Sequence, residues 1–151
     1  MQKFGYSEAG LALTKGFEGL RLEAYRDSGG VWTVGYGHTG PDLLAGMKIS
    51  QADADMMLRA DVSAAVACVN GAVEEEISQA QFDALVDFCF NVGRGAFVRS
   101  SLLKYVNQGE FAIAGQQFLM WVNVDGKRCE GLVKRRQAER AMFLSGSKMA
   151  A

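Results

Sequence analysis

Residues 18–40 read EGLRLEAYRDSGGVWTVGYGHTG, and this stretch decides the fold. Leu22, Ala24 and Tyr25, then Val31, Thr33, Val34 and Tyr36, mark two short strands rich in β-branched and aromatic residues. Asp27-Ser28-Gly29-Gly30 lies between them and supplies turn residues. A small antiparallel hairpin is predicted, with a third short strand before residue 50. Just upstream, residues 7–17 predict a helix. Ser7 can cap it, Leu11, Leu13 and Phe17 give it an apolar side, and Gly19 can end it. Glu18 then falls in or just after its last turn.

Downstream the pattern is helical to the end of the chain. Ser50 with Asp53 opens a helix carrying Met56, Met57, Ala60, Val62, Ala65, Val66 and Val69, expected to be the longest. Ser78-Gln-Ala-Gln81 is a capping box in front of the apolar run FDALVDFCFNVG, a central helix broken by Gly93 and Gly95. Shorter helices are expected near 100–107 and 110–121. A last one is expected from about 133 to 144, with Val133, Ala141, Phe143 and Leu144 for the core. The expected fold class is α+β. A small N-terminal β lobe (about 20–50) joins a mainly helical lobe (about 1–19 and 70–151) through a helix at about 50–70, with a cleft between them. The whole of residues 1–151 is expected to form one domain.

Composition is that of an ordinary globular chain. Of 151 residues, 49% are apolar and 22% charged, and one is proline, which excludes disordered and collagen-like classes. The net charge of −1 conceals an asymmetry: residues 1–94 carry −6 and residues 95–151 carry +5. The basic C-terminal part suits an anionic polymer, a lipid surface or a solvated helix face. Cys68, Cys89 and Cys129 have no metal-ligand or redox spacing and read as reduced thiols. No segment has the apolar length of a signal peptide or membrane span, so no self-export and no stable membrane anchor are expected.

Three residues carry the chemistry. Glu18 at a helix end, Asp27 in a glycine-flanked turn and Thr33 on a strand offer one acid, one base and one water-holder. Hydrolysis of a glycosidic bond needs that set. Partial burial and a helix C-terminus favour a protonated carboxyl at position 18, and a polar turn favours an ionised one at 27. Singly, each has a plainer explanation: a surface glutamate, a turn aspartate bonded to its own backbone, a strand threonine. Gly35-Tyr36-Gly37-His38-Thr39-Gly40 matches GxGxxG, but Pro41 and Asp42 follow where a nucleotide site needs a helix. Its glycines more simply allow a tight bend or close approach. His38, the only histidine, reads as an imidazole paired with a carboxylate, not a metal ligand. Neither a metal, another cofactor nor nucleic acid is expected.

Glu18, eight intervening residues, Asp27, five more and Thr33 resemble the active site of the phage lysozymes (endolysins) of glycoside hydrolase family 24. The flanking EGLRLEAYRDSGGVWTVGYGHTG, FNVGRGAFVRSSLL and FLMWV with GLVKRRQAERAMFL resemble that family over essentially the whole chain. The resemblance implies an N-acetylmuramidase that cleaves the β-1,4 bond between N-acetylmuramic acid and N-acetylglucosamine in peptidoglycan, causing host-cell lysis. It implies Glu18 as general acid, with Asp27 and Thr33 holding the attacking water. Phe90, Ser100 and Thr39 would be substrate contacts, and Arg135, paired with the catalytic glutamate, would support the site together with His38. It further implies a monomer kept in the host cytoplasm until a holin releases it to the periplasmic wall. The alternative is a catalytically inactive peptidoglycan-binding module of the same fold.

Overall fold

The computed structural model describes residues 3–150. It divides into two compact units, one of residues 14–64 and one of residues 1–13 with 65–151.

The first unit holds the sheet. Helix α1 (Glu8–Glu18) starts in the other unit and ends here. Ser7 caps it: its Oγ accepts from Gly10 N at 3.2 Å, and its carbonyl accepts from Leu11 N at 2.9 Å. Strands β1 (Arg21–Arg26), β2 (Trp32–Gly35) and β3 (His38–Thr39) form an antiparallel sheet in that order. The register pairs Tyr25 with Thr33, Arg26 with Trp32 and Arg21 with Gly35, with a bulge between Arg21 and Tyr25. On the other side of β2, Thr33 faces Thr39 and Val34 faces His38. Side chains alternate across a strand, so Ala24 and Val34 point to one face, where they pack with Leu43. Thr33, Tyr25 and Thr39 stand on the opposite face.

Helix α2 (Gln51–Ala72) begins with a reciprocal cap. Asp53 N donates to Ser50 Oγ at 3.0 Å, and Ser50 N donates to Asp53 Oδ2 at 3.2 Å. Its buried stripe is Ala54, Leu58, Val62, Ala65 and Val69. Met56, also on this helix, is 70% exposed, because it lies off that three-and-four spacing.

The second unit is helical. Helix α3 (Gln79–Val92) opens on the Ser78–Gln81 capping box and is buried continuously from Gln81 to Cys89. Gly93, at φ +100°, ends it; Gly95 lies inside the next helix and does not break anything. Helices α4 (Arg94–Val98), α5 (Ser101–Asn107) and α6 (Phe111–Gln117) follow, then a 3-10 turn at Phe118–Met120. Phe88 is the hub of the core, meeting Phe97, Phe118 and Trp121 edge-on at centroid distances of 6.3, 5.5 and 5.4 Å.

Two features of this part depart from the elements expected of the sequence. Strands β4 (Asn123–Val124) and β5 (Lys127–Arg128) form a small hairpin around Asp125 and Gly126, both at positive φ. That is the Asp-Gly turn a right-twisted hairpin requires. Helix α7 then runs Glu130–Ala150, longer at both ends than expected; Val133 and Phe143 are buried, while Ala141 is exposed.

Candidate functional site

Glu18 is the last residue of α1. Gly19, at φ +75°, turns the chain out of the helix while its N–H bonds to Lys15 O at 3.1 Å. The Glu18 side chain lies against the turn between β2 and β3. A Cβ on Gly37 would stand 3.3 Å from Glu18 Oε1, and Gly37 has φ +86°. Only glycine lets backbone come that close to the carboxylate in that conformation. The turn is pinned from beneath: Tyr36 is buried, and Lys15 Nζ, paired with Asp55 at 3.0 Å, sits 5.6 Å from its ring centre.

Asp27 occupies the turn after β1 and is exposed. Its Oδ1 accepts from Gly29 N at 2.8 Å and Val31 N at 2.9 Å, and its own N–H donates to Val31 O at 2.9 Å. Oδ2 takes part in no such turn bond. Thr33 sits at 4% exposure in the central strand, and its Oγ1 donates to Val31 O at 3.0 Å. The hydroxyl proton is thus committed to the backbone, leaving the oxygen as an acceptor.

The register fixes how these two relate. Asp27 bonds to Val31 across the hairpin, and Tyr25 pairs with Thr33. Asp27 and Thr33 are therefore diagonal neighbours on one face, their α-carbons roughly 7 Å apart. Thr39 faces Thr33 directly on the third strand and completes a row Tyr25–Thr33–Thr39. His38, next in β3, points the other way and meets both oxygens of Asp61 on α2 through Nδ1, at 3.0 and 3.1 Å. Asp61 had no sequence signal beyond its place on a helix. From Gly35 to Gly40 the chain forms strand, turn and strand, with no helix until Gln51, so no phosphate-binding helix end follows the glycines.

The remaining candidates lie in the helical unit. Ser100 caps α5: its Oγ donates to Phe97 O at 2.7 Å and accepts from Leu103 N at 3.1 Å. Phe90 is half-buried against the aromatic core. Arg135 is buried and grips Asp87 through Nε and Nη2, both at 2.9 Å. Arg136 is buried as well, bonding Glu139 Oε1 at 2.6 Å, Trp121 O at 2.9 Å and the Asn91 side chain. The basic run at 134–136 is therefore no free cationic face; Lys134 alone of the three is exposed. Burial first, and then the neighbouring Asp87, push Glu139 well above the usual carboxylate range.

The model of the family described as phage lysozyme matches residues 15–139 of this sequence. The chain belongs to the phage lysozyme family. It is 48% identical over 143 residues to the endolysin of Bacillus phage PZA, covering 93% of this chain and 55% of that protein. It thus spans about half the length of that relative and of its Bacillus phage B103 counterpart. The endolysin of Acyrthosiphon pisum secondary endosymbiont phage 1 is 45% identical and is covered over 97% of its length, with 92% of this chain. Among solved structures, the endolysin from Escherichia coli O157:H7 phage FAHEc1 matches at TM-score 0.89 and 38% identity, over 95% of each chain. The muramidase domain of SpmX from Asticaccaulis excentricus matches at 0.85 and 40%, over 93% of this chain and 97% of that one. The lysozyme fold, a small antiparallel sheet with a mainly helical body, is common to them.

Proposed function

We propose that this chain is a peptidoglycan hydrolase cleaving the β-1,4 bond between N-acetylmuramic acid and N-acetylglucosamine. The observation that carries the reading is the arrangement of Asp27 and Thr33 on one face of the hairpin, with complementary hydrogen-bonding capacity left over. Thr33 Oγ1 accepts one hydrogen of a water, and Asp27 Oδ2 accepts the other. That water attacks the anomeric carbon, and its proton passes to Asp27. Glu18 gives its proton to the departing glycosidic oxygen as the C–O bond breaks. The sugar leaves with inverted configuration, because the water enters from the face opposite the leaving group. Arg135, His38 and Asp61 support the site; Thr39, Phe90 and Ser100 contact the glycan in this reading.

The endolysin relatives support a role in lysis at the end of a phage cycle. In this reading the protein is a monomer, held in the host cytoplasm until a holin admits it to the periplasmic wall. No helix among the described residues is long and apolar enough to cross a membrane.

The deciding experiment is mass spectrometry of wall fragments after digestion, alongside clearing of outer-membrane-permeabilised Gram-negative cells. Reducing N-acetylmuramic ends are expected, and Glu18→Gln should abolish them. Cosedimentation with walls but no new reducing ends would establish the inactive binding module instead. Anhydro ends would give Asp27 a different role.

A further inference from the structure

The sheet face that carries Asp27 and Thr33 holds one more organised group. Tyr25 pairs directly with Thr33, and the guanidinium of Arg21 lies over the Tyr25 ring, 4.3 Å from its centre. Arg21 pairs with Gly35, two residues on from Thr33, so the bulge returns it to the same face. Arg21 is exposed, Tyr25 is half-buried, and among the described residues no carboxylate forms an ion pair with Arg21. Stacking on the ring orients the guanidinium and leaves its in-plane N–H groups open to a planar anion.

We infer that Arg21, seated on Tyr25, is a specificity residue that binds a carboxylate of the peptidoglycan strand next to the bond being cut; this rests on the muramidase reading. Peptidoglycan differs from neutral amino-sugar polymers in the acid of the N-acetylmuramic lactyl group, either free or carried outward as stem-peptide carboxylates. A fixed guanidinium meets a carboxylate through two parallel hydrogen bonds, which sets orientation as well as charge. Along the hairpin, Arg21 and Asp27 lie opposite Gly35 and Val31, four residues apart, or roughly 13 Å at the rise of a β-strand. Arg21 therefore reads a group displaced along the glycan from the reacting carbon, and takes no part in proton transfer.

Arg21→Gln keeps the length of the side chain and removes its charge. The test measures hydrolysis of sacculi with intact stem peptides and of sacculi stripped by an amidase, which frees the lactyl carboxylates. KM should rise about fivefold, as loss of an exposed ion pair implies, with the loss on KM rather than kcat. Raising salt should weaken binding by the parent more than by the variant. A loss mainly on stripped walls assigns the lactyl carboxylate; a loss mainly on intact walls assigns the peptide; an equal loss supports a carboxylate from either. Arg21→Lys, which keeps the charge without the planar fork, should lose less. The same pair made in a Glu18→Gln background reads wall binding by cosedimentation without hydrolysis, so the inference is tested even if the parent proves inactive. Unchanged KM on both walls, or unchanged binding and salt response in that background, overturns it.

Discussion

Arg135 and Asp87 are joined by two parallel hydrogen bonds of 2.9 Å, from Nε to Oδ2 and from Nη2 to Oδ1, across 48 residues of sequence. The side chains are 6% and 0% exposed. Truncating Asp87 takes both of these bonds from a buried guanidinium. Asp87→Ala should therefore destabilise the protein by about 3–5 kcal/mol. Urea unfolding of the variant checks this; a midpoint within error of the parent would refute it.

Glu139 gives a pH test beside that pair. Its folded form holds a proton to higher pH than the unfolded chain, because of burial first and Asp87 second. Stability from a raised group is complete below its unfolded pKa, about 4.3, and is lost as pH rises through the folded value. Glu139→Gln cannot ionise, so this slope should vanish. Melting temperatures across pH 4–8 should fall more for the parent than for the variant.

Gly37 tests the approach to Glu18. Gly37→Ala forces a Cβ to 3.3 Å from Glu18 Oε1 at a φ of +86°. The backbone alone should cost roughly 1–2 kcal/mol. Wall hydrolysis should fall further than this loss of stability explains, since the carboxylate has to move. Comparing Tm with kcat separates the two effects.

Asp27 and Thr33 have separable roles. Asp27→Asn keeps a side-chain oxygen for the Gly29 and Val31 amides, so the turn should survive. Without the base, kcat should drop on the order of 10²- to 10⁴-fold with little change in Tm. Thr33→Val keeps the strand and removes the acceptor; a kcat loss there without a KM rise would mark water-holding, and unchanged kcat would remove Thr33 from the mechanism.

What could be read in advance follows from where each signal resides. The caps at Ser7, Ser50 and Ser78 and the Asp27–Gly30 turn are local chemistry, so their residues announce them. The hairpin around Asp125-Gly126 had the same kind of turn signal, but its strands are two residues each and show no alternation. The readings left open for the basic C-terminal part did not include buried pairing of Arg135 and Arg136, because their acceptors, Asp87 and Asn91, are distant in sequence. The Asp61 partner of His38 is likewise set by tertiary placement. The Asp27–Thr33 diagonal follows from hairpin register, which the turn length fixes once the strands are known.

Cys89 is 1% exposed in α3, and its thiol is pushed up to about 12 by burial and by the nearby Cys68. Burial thus keeps the thiol from the solvent and from the thiolate form that alkylating reagents require. Reaction at Cys89 is thus a clock for opening of the helical unit. Its labelling rate in native buffer counts the excursions that expose α3, a kinetic readout built into the core without any added probe.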